Sequence, residues 1–190
     1  MRCRGRCLHR PGRMRASAPT YSIGKMGDGM FLEGRRIAET TGHEAGRKLL
    51  EEMYLRYVGA PMPPIVVTDR GKPCFLDSPW HFSISHSQRH VFCALSKKPI
   101  GLDAEELDRN IRLELAEKIL SPTERVQLDA AEDKRLTLLT FWVLKEAQAK
   151  CSGEGLKGYP NHTEFTLPDP RVRQLQGCLV AVVEEEDHVI

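Results

Sequence analysis

Apolar side chains recur every three or four residues between Arg36 and Val58. The positions are Ala45, Leu49, Leu50, Met53, Tyr54 and Tyr57. This spacing places them on one face of an α-helix, and we expect Gly59 to end that helix because glycine readily adopts the left-handed conformation. A second helix is predicted from about Lys134 to Cys151. It is almost wholly apolar over Leu136–Leu144, so we expect it to be largely buried.

Shorter apolar segments bounded by turn residues predict β-strands. They lie at Ile65–Thr68, Val91–Leu95, Ile100–Ala104, Glu164–Leu167 and Gly177–Glu184. Phe82 and Ile84 alternate with serines, which predicts a further strand with Ser85–Arg89 as the hairpin connection. A helix is predicted over Leu113–Leu120. Ser121 to Glu124 forms a capping box that starts another helix, with proline at its first position.

The order of these elements predicts an α+β fold, in which helices in the middle of the chain are surrounded by antiparallel strands. With 190 residues the chain can form one sizeable core or two small subdomains. Its hydrophobic content of 41% is that of ordinary soluble proteins, and its apolar runs are too short to span a bilayer. We therefore expect a soluble, cytoplasmic protein that does not bind membranes.

The net charge of +2 combines a basic N-terminal segment with a mildly acidic remainder. Residues 1–36 carry nine Lys and Arg against two acids, whereas the rest carries nineteen against twenty-four. A nucleic-acid-binding domain would concentrate basic residues on its folded face, so we expect no nucleic-acid partner. Residues 1–20 contain six arginines and no acid, and they are predicted to be a disordered basic tail.

The six cysteines are irregularly spaced, which favours free thiols over a disulfide framework. Cys3, Cys7 and His9 could form half of a zinc site, but no second pair of ligands follows nearby.

Two groups of charged residues are candidates for a catalytic or metal-binding site. Asp103 and Glu105 are two residues apart on or just after a strand, so both carboxylates project from one face. Carboxylate oxygens are ligands that Mg²⁺ accepts, although a solvated acidic loop is an alternative. Glu146 and Lys150 lie four residues apart at the end of the buried helix. They form either an ordinary ion pair within the helix or part of a cluster of charges that binds a ligand.

Two polar loops complete the set of candidates. Arg70 to Pro73 is by itself a turn with incidental positive charge. Phe82 to Ser87 offers hydroxyls, an imidazole and turn amides that could hold a phosphate, or it is simply a polar hairpin. A serine hydrolase is disfavoured because Ser85 lacks the Gly-x-Ser-x-Gly elbow.

Taken in order, Gly-Lys-Pro at 71–73, Phe-Ser-Ile-Ser-His-Ser at 82–87, Ile-Gly-Leu-Asp-Ala-Glu at 100–105 and Phe-Trp-Val-Leu-Lys-Glu-Ala-Gln-Ala-Lys at 141–150 resemble the 4′-phosphopantetheinyl transferase superfamily. The Ser-His motif and the spacing favour the surfactin-synthetase-activating (Sfp-like) type. The resemblance implies antiparallel strands packed against a long helix, in a pseudo-two-fold fold with a shortened N-terminal half. Residues 21–98 would form that half, and residues 99–190 would form the half that carries a metal site.

The resemblance also implies an activity: transfer of 4′-phosphopantetheine from coenzyme A to a serine of an apo acyl or peptidyl carrier protein, with release of 3′,5′-ADP. Mg²⁺ would be held by Asp103, Glu105 and Glu146. Glu146 would also take the proton of the serine hydroxyl, and Lys150 would stabilise the leaving group. A monomer is expected.

The remaining residues are assigned by the resemblance to the cofactor-binding site. Lys72 and Pro73 would lie along the nucleotide, and Ser85 and His86 near its phosphates. Asp103 would also contact coenzyme A through the metal site, and Lys145 would neutralise phosphate charge.

The N-terminal half departs from the Sfp-like pattern because only about 75 residues precede the Gly-Lys-Pro motif. Arg47, Lys48 or His43 are candidates to replace the missing basic contacts to the nucleotide. Trp142, one turn before Glu146, is expected to anchor the core. The alternatives are a homologue that only binds coenzyme A or a carrier protein, and a Mg²⁺-dependent diphosphate hydrolase.

Overall fold

The computed structural model describes residues 20–26, 29–153 and 163–185. The strands are β1 (Thr20–Met26), β2 (Met30–Arg36), β3 (Ile65–Val67), β4 (Pro73–Phe75), β5 (His81–His86), β6 (His90–Ser96), β7 (Ile100–Glu106), β8 (Val172–Leu175) and β9 (Cys178–Glu184). The helices are α1 (Gly42–Val58), α2 (Ala116–Ile119), α3 (Pro122–Ala130) and α4 (Lys134–Ser152), and a 3₁₀ turn at Leu113–Leu115 precedes α2. The predicted mixture of helices and antiparallel strands is confirmed.

In the N-terminal part, helix α1 packs on a four-stranded sheet of order β1-β2-β6-β5. The sequence starts α1 with a capping box, in which Thr41 and Glu44 bond each other's backbone amides. Gly59 ends it at φ +76°, as expected from its lack of a Cβ. Leu49 and Leu50 on this helix are fully buried against the sheet.

In the C-terminal part, α4 packs on β7 and β9 of a three-stranded sheet of order β7-β9-β8. Asp133 caps its N-terminus through the Leu136 amide, and Gly153 ends it in the left-handed conformation. The apolar run predicted to be buried is buried, with Leu138, Leu139 and Phe141 fully excluded from solvent.

Two serines of β5 join the two parts of the molecule. Ser83 Oγ accepts a hydrogen bond from the Leu102 amide at 2.9 Å, and Ser85 Oγ accepts one from the Ala104 amide at 3.2 Å. These hydroxyls satisfy buried amides of β7 that have no strand partner on that side. The serines that alternate with Phe82 and Ile84 therefore place the end of β5 beside β7.

Gly101 permits the close approach of β7 to α4. A Cβ at this position would overlap the carbonyl oxygen of Ala147 and the amide of Cys151. Because both of these are backbone atoms of a packed helix, no side-chain rearrangement can relieve the overlap. Gly101 thus sets the distance between the strand of Asp103 and the helix of Glu146.

Three expectations from the sequence are corrected. The segment Glu164–Leu167 is not a strand, because its amides bond side chains of α3: Phe165 N donates to Glu124 Oε1 and Leu167 N to Gln127 Oε1, each at 2.9 Å. The hairpin connection is shorter than predicted, since Ser85 and His86 still belong to β5. The helix expected over Leu113–Leu120 is a 3₁₀ turn followed by the single turn of α2.

Four strands, β1, β2, β4 and β8, have no counterpart among the predicted elements. In β2 the usual alternation of buried apolar and exposed polar residues is obscured. Glu33 and Arg35 are buried, at 0% and 5% exposure, because they pair with charged residues of α1. None of the helices in the described ranges has the length and apolar character needed to cross a membrane. The predicted tail over residues 1–20 lies outside the described residues, apart from Thr20.

Candidate active site

All of the predicted site residues except Lys145 line one or both of two adjoining cavities. A cavity of about 280 Å³ is lined by Ile84, Ser85, His86, Asp103, Glu105, Arg109, Trp142, Glu146 and Lys150. A cleft of about 380 Å³ beside it shares Ile84, His86, Glu146 and Lys150, and extends along the loop that carries Gly71, Lys72 and Pro73. The fold therefore brings together residues from β5, β7, α4 and the turn before β4.

Asp103 is the most buried acid of the small cavity, with 5% exposure. Its Oδ1 accepts hydrogen bonds from Lys150 Nζ at 2.7 Å and from Ser85 Oγ at 2.9 Å. Its Oδ2 is buried and has no hydrogen-bond partner in the described structure. A buried carboxylate oxygen without a partner is costly, so Asp103 has one oxygen free for a cation.

Ser85 holds this arrangement together. Its hydroxyl donates to Asp103 and accepts from the Ala104 amide and from Lys150 Nζ at 3.3 Å. A hydroxyl has one donor and two acceptor lone pairs, so the capacity of Ser85 is fully used. These bonds orient Asp103 and Lys150. The neighbouring His86 is exposed and lines both cavities.

Glu105 projects into the small cavity from the same face of β7 as Asp103, as the spacing predicted. It forms an ion pair with Arg109, four residues later. The Arg109 guanidinium also lies 5.4 Å from the centre of the Trp142 ring. Arg109 was missed at the sequence level, although an arginine four residues after the acidic pair was a signal that could have indicated it.

Glu146 enters the cavity from α4 and is half-buried. Burial raises the pKa of this carboxyl, and the nearby negative charge of Asp103 raises it further, while Lys150 and Arg109 oppose the shift. The arrangement is not an isolated ion pair of one helix, because Lys150 bonds Asp103 on the neighbouring strand. The sequence left open whether Glu146 and Lys150 form a helical ion pair or part of a charge cluster. In the structure they belong to a cluster in which the carboxylates of Asp103, Glu105 and Glu146 face the cations of Lys150 and Arg109.

Lys72 and Pro73 line the larger cleft, and the Lys72 ammonium has backbone partners. Its Nζ donates to the Cys151 carbonyl at 2.7 Å and to the Ile100 carbonyl at 3.3 Å. Burial lowers the pKa of this amine. Lys72 therefore ties the turn before β4 to the C-terminal end of α4, where carbonyls lack helical partners.

Of the three basic candidates in the N-terminal half, His43 lines the cleft together with Arg70. Arg47 and Lys48 are exposed on α1 and do not line it. His43 follows Gly42, where an added Cβ would lie 2.7 Å from the His86 ring. The start of α1 therefore packs directly against His86. Trp142 lines the small cavity while also packing on the C-terminal core, which agrees with its expected role as an anchor.

The expectation that Lys145 contacts phosphate is corrected. Its side chain is 2% exposed, and its Nζ lies 2.8 Å from Glu124 Oε2 and donates to the Thr163 carbonyl at 3.0 Å. Neighbouring positions of a helix point in different directions, so Lys145 faces the C-terminal core while Glu146 faces the cavity. Lys145 is a core residue that joins α4 to α3.

Comparison with known proteins shows a similarity that is concentrated in the C-terminal half. Residues 99–182 match the sequence model of the 4′-phosphopantetheinyl transferase superfamily, a stretch that contains Asp103, Glu105, Glu146 and Lys150. The match covers less than half of the chain, and it shows that this part is similar to that superfamily. The resemblance stated from the sequence motifs is confirmed.

Three curated relatives illustrate the similarity. The 4′-phosphopantetheinyl transferase Sfp of Bacillus subtilis (strain 168) is 43% identical over 89 residues, 45% of this chain and 39% of the relative. The transferase HetI of a Nostoc species is 35% identical over 123 residues, 59% and 52% of the two chains. The transferase AcpT of Escherichia coli O157:H7 is 30% identical over 125 residues, 63% and 64%. The matched part of the chain thus spans about half the length of these transferases.

Proposed function

We propose that this chain transfers the 4′-phosphopantetheine arm of coenzyme A to a serine of an apo acyl or peptidyl carrier protein. The observation that carries this proposal is the cavity where Asp103, Glu105 and Glu146 face Lys150, at the end of a cleft lined by the Gly-Lys-Pro turn. Three acids and a lysine beside a cleft of about 380 Å³ suit a substrate that carries a diphosphate.

The donor set also fits Mg²⁺, which accepts oxygen ligands. Asp103, Glu105 and Glu146 would hold the ion, and the unpartnered Oδ2 of Asp103 supports this assignment. Glu105 would have to exchange its Arg109 partner for the cation. When bound, the ion would supply positive charge to the diphosphate of coenzyme A.

The remaining chemistry is assigned to the side chains of this protein. The serine oxygen of the carrier attacks the β-phosphorus of coenzyme A, and the bond from that phosphorus to the bridging oxygen of 3′,5′-ADP breaks. Glu146, whose pKa is raised by burial and by Asp103, accepts the hydroxyl proton. Lys150, 2.7 Å from Asp103 Oδ1, stabilises the negative charge that develops on the departing 3′,5′-ADP.

The larger cleft is assigned to the body of coenzyme A. Pro73 and the stem of Lys72 would flank it, and His86, His43 and Arg70 would provide polar contacts. Ser85 would act by orienting Asp103 and Lys150. Lys72 would act by fixing the cleft wall, because its ammonium already bonds two backbone carbonyls.

We further propose the pseudo-two-fold arrangement, with residues 21–98 as a shortened N-terminal half and 99–190 as the second half. Each half has a helix packed on an antiparallel sheet, α1 on β6 and β5 and α4 on β7 and β9, and the halves meet where β5 contacts β7. A cytoplasmic monomer remains our expectation.

The proposal is tested by mass spectrometry of an apo carrier protein incubated with this chain, coenzyme A and Mg²⁺. One added phosphopantetheine on the carrier, dependent on Mg²⁺ and absent with Lys150→Ala, is the expected result. Free phosphopantetheine with an unmodified carrier would instead identify a diphosphate hydrolase. Tight binding of coenzyme A or carrier without any turnover would identify a binding protein.

A further inference from the structure

A second cluster of metal-ligating side chains lies on the other face of β7 from Glu105. His90 of β6, Glu106 of β7 and Cys178 of β9 are all buried, with exposures of 8%, 5% and 0%. One ligand atom from each lies within 4.8 Å of the other two. The cluster therefore draws one residue from each of three strands, of which β6 belongs to the four-stranded sheet and β7 and β9 belong to the three-stranded sheet.

The distances in this cluster match those between ligands of one tetrahedral ion. His90 Nδ1 lies 3.1 Å from Glu106 Oε1 and 3.4 Å from Cys178 Sγ, and Cys178 Sγ lies 3.6 Å from Glu106 Oε2. A zinc ion with ordinary bond lengths of about 2.0 to 2.3 Å sets its ligands roughly 3.4 to 3.6 Å apart. His90 contacts Oε1 of Glu106 and Cys178 contacts Oε2, so the two oxygens of one carboxylate each lie near a second ligand atom. One atom from each residue lies within 4.8 Å of the other two, and a small inward shift of the side chains brings them to the spacing that a metal requires.

The neighbours of Glu106 fix its carboxylate in place. Ser87 Oγ donates to Oε1 at 2.7 Å and the Arg89 amide donates to it at 3.0 Å, while the Arg89 guanidinium donates to Oε2 at 2.9 Å. Such outer hydrogen bonds orient carboxylate ligands at metal centres. The thiol and imidazole are the softer ligands of the set, which separates this cluster from the oxygen-only set of Asp103, Glu105 and Glu146.

We propose that His90, Glu106 and Cys178 form a binding site for a zinc-class divalent cation, which links the N-terminal and C-terminal sheets. The ion replaces the thiol proton of Cys178, which is released to solvent. The imidazole proton of His90 moves to Nε2, so that Nδ1 is free to ligate the ion. The three residues leave one position of a tetrahedron for water. The site is separate from the proposed catalytic carboxylates, and its existence does not depend on the proposed function.

The experiment uses Co²⁺ as a spectroscopic probe on the full chain carrying Cys3→Ser and Cys7→Ser, because these cysteines are independent candidates for metal binding. We expect one equivalent of Co²⁺ to give a thiolate-to-cobalt absorption band. Zn²⁺ should displace the Co²⁺ and raise the melting temperature, whereas excess Mg²⁺ should leave the band in place, since Mg²⁺ prefers oxygen ligands.

Matched variants distinguish the ligands from other residues. Cys178→Ser and His90→Gln should each weaken Co²⁺ binding on the order of 100-fold or more. Cys74→Ser, which replaces a half-buried thiol outside the cluster, should leave the band unchanged, and so should Asp103→Asn. Absence of a thiolate band in the starting chain, or a band that survives Cys178→Ser, would overturn the proposal. If Cys178→Ser does not fold, loss of the Zn²⁺ stabilisation in His90→Gln decides the question.

Discussion

At the scale of single residues, the direction of each charged side chain determines what it can do. Lys145, Glu146 and Lys150 lie within six positions of one helix, yet only the last two face the cavity. Glu105 and Glu106 are adjacent and project from opposite faces of β7, one towards the candidate active site and the other towards His90 and Cys178. Three predictions follow from these orientations.

Replacing Glu146 with glutamine should lower carrier modification by about 100-fold or more, because the change removes both the proposed proton acceptor and one metal ligand. Stability without Mg²⁺ should stay the same or rise, since burial and Asp103 disfavour the charged form, as the raised pKa of Glu146 indicates. Transfer assays beside thermal melts check both expectations. The exposed Glu132→Gln is the control, and near-normal turnover of Glu146→Gln would rule out the three-carboxylate site.

Replacing Lys145 with methionine should cost roughly 3 to 5 kcal/mol of unfolding free energy, because Glu124 would be left buried without its partner. The KM for coenzyme A should not change in the folded fraction. Urea unfolding and steady-state kinetics measure the two quantities. Lys134→Met, at an exposed ion pair on the same helix, should cost less than about 1 kcal/mol. A stable Lys145 variant with a raised KM would restore the phosphate contact expected from the sequence.

Replacing Glu106 with glutamine should destabilise the metal-free protein in a pH-dependent manner. Although burial raises it, hydrogen bonds from Arg89, Ser87 and His90 lower the pKa of Glu106 from 4.5 to about 2. A lowered carboxyl pKa adds stability that is complete above the unfolded pKa, up to about 3 kcal/mol, and that is lost as the pH falls towards the folded value.

The unfolding free energy of the wild type should therefore exceed that of Glu106→Gln by the largest amount near pH 7. This difference should decrease as the pH falls from about 5 to about 3. Denaturant unfolding of both proteins in the presence of a chelator measures this difference. A gap of constant size across that range would show that the ionised carboxylate of Glu106 is not stabilised by its donors.

At the scale of secondary structure, the site depends on how closely β7 approaches its two neighbours. On one side Ser83 and Ser85 of β5 satisfy the amides of Leu102 and Ala104. On the other side Gly101 lets the backbone of α4 come into contact with the strand. These contacts hold Asp103 opposite Lys150, so a change in strand packing should alter catalysis as well as stability.

Replacing Gly101 with alanine should therefore lower stability by about 1 to 3 kcal/mol or more and should also lower transfer activity, because the added methyl group separates β7 from α4. Gly59→Ala is the control. An added Cβ there meets no atom within 4 Å, but Gly59 lies at φ +76°, so the change strains the backbone without moving β7 or α4. Thermal melts and transfer rates of both variants test this expectation. Equal losses of stability and of transfer activity in the two variants would show that the packing of β7 on α4 does not require a glycine at position 101.

At the scale of the whole molecule, the candidate site lies between the two parts of the chain. Lys72 reaches across this boundary to the carbonyls of Ile100 and Cys151, while its stem lines the cleft. Binding of a ligand in the cleft and attachment of the two parts are thus expected to be coupled through one side chain.

Replacing Lys72 with methionine should raise the KM for coenzyme A more than it lowers kcat, because Lys72 shapes the cleft rather than contacts the bond that breaks. It should also cost about 1 to 3 kcal/mol of stability, since two carbonyls lose their donor. Lys48→Met, at an exposed position of α1, is the control. An unchanged KM with unchanged stability would show that the contacts of Lys72 are dispensable.

The sequence alone determined the features that depend on neighbouring residues. The periodicity and caps of α1 and α4, the capping box at Ser121, and the spacing of Asp103 with Glu105 are local properties, because one helical turn or one strand contains all the atoms involved. The motifs at 100–105 and 141–150 lie within the residues that match the 4′-phosphopantetheinyl transferase superfamily model, so short local patterns were sufficient to indicate that similarity.

Only the tertiary structure decided which of these residues meet. Lys145 faces the core because it pairs with Glu124 of α3. The strand β2 was not predicted because its buried charged residues pair with residues of α1. The segment 164–167 is not a strand because its backbone amides bond side chains of α3. His90, Glu106 and Cys178 are 16 and 72 positions apart in sequence, so no local pattern could group them. Burial, charge pairing and long-range contacts arise only when distant segments pack, and the free energies of these contacts override local preference.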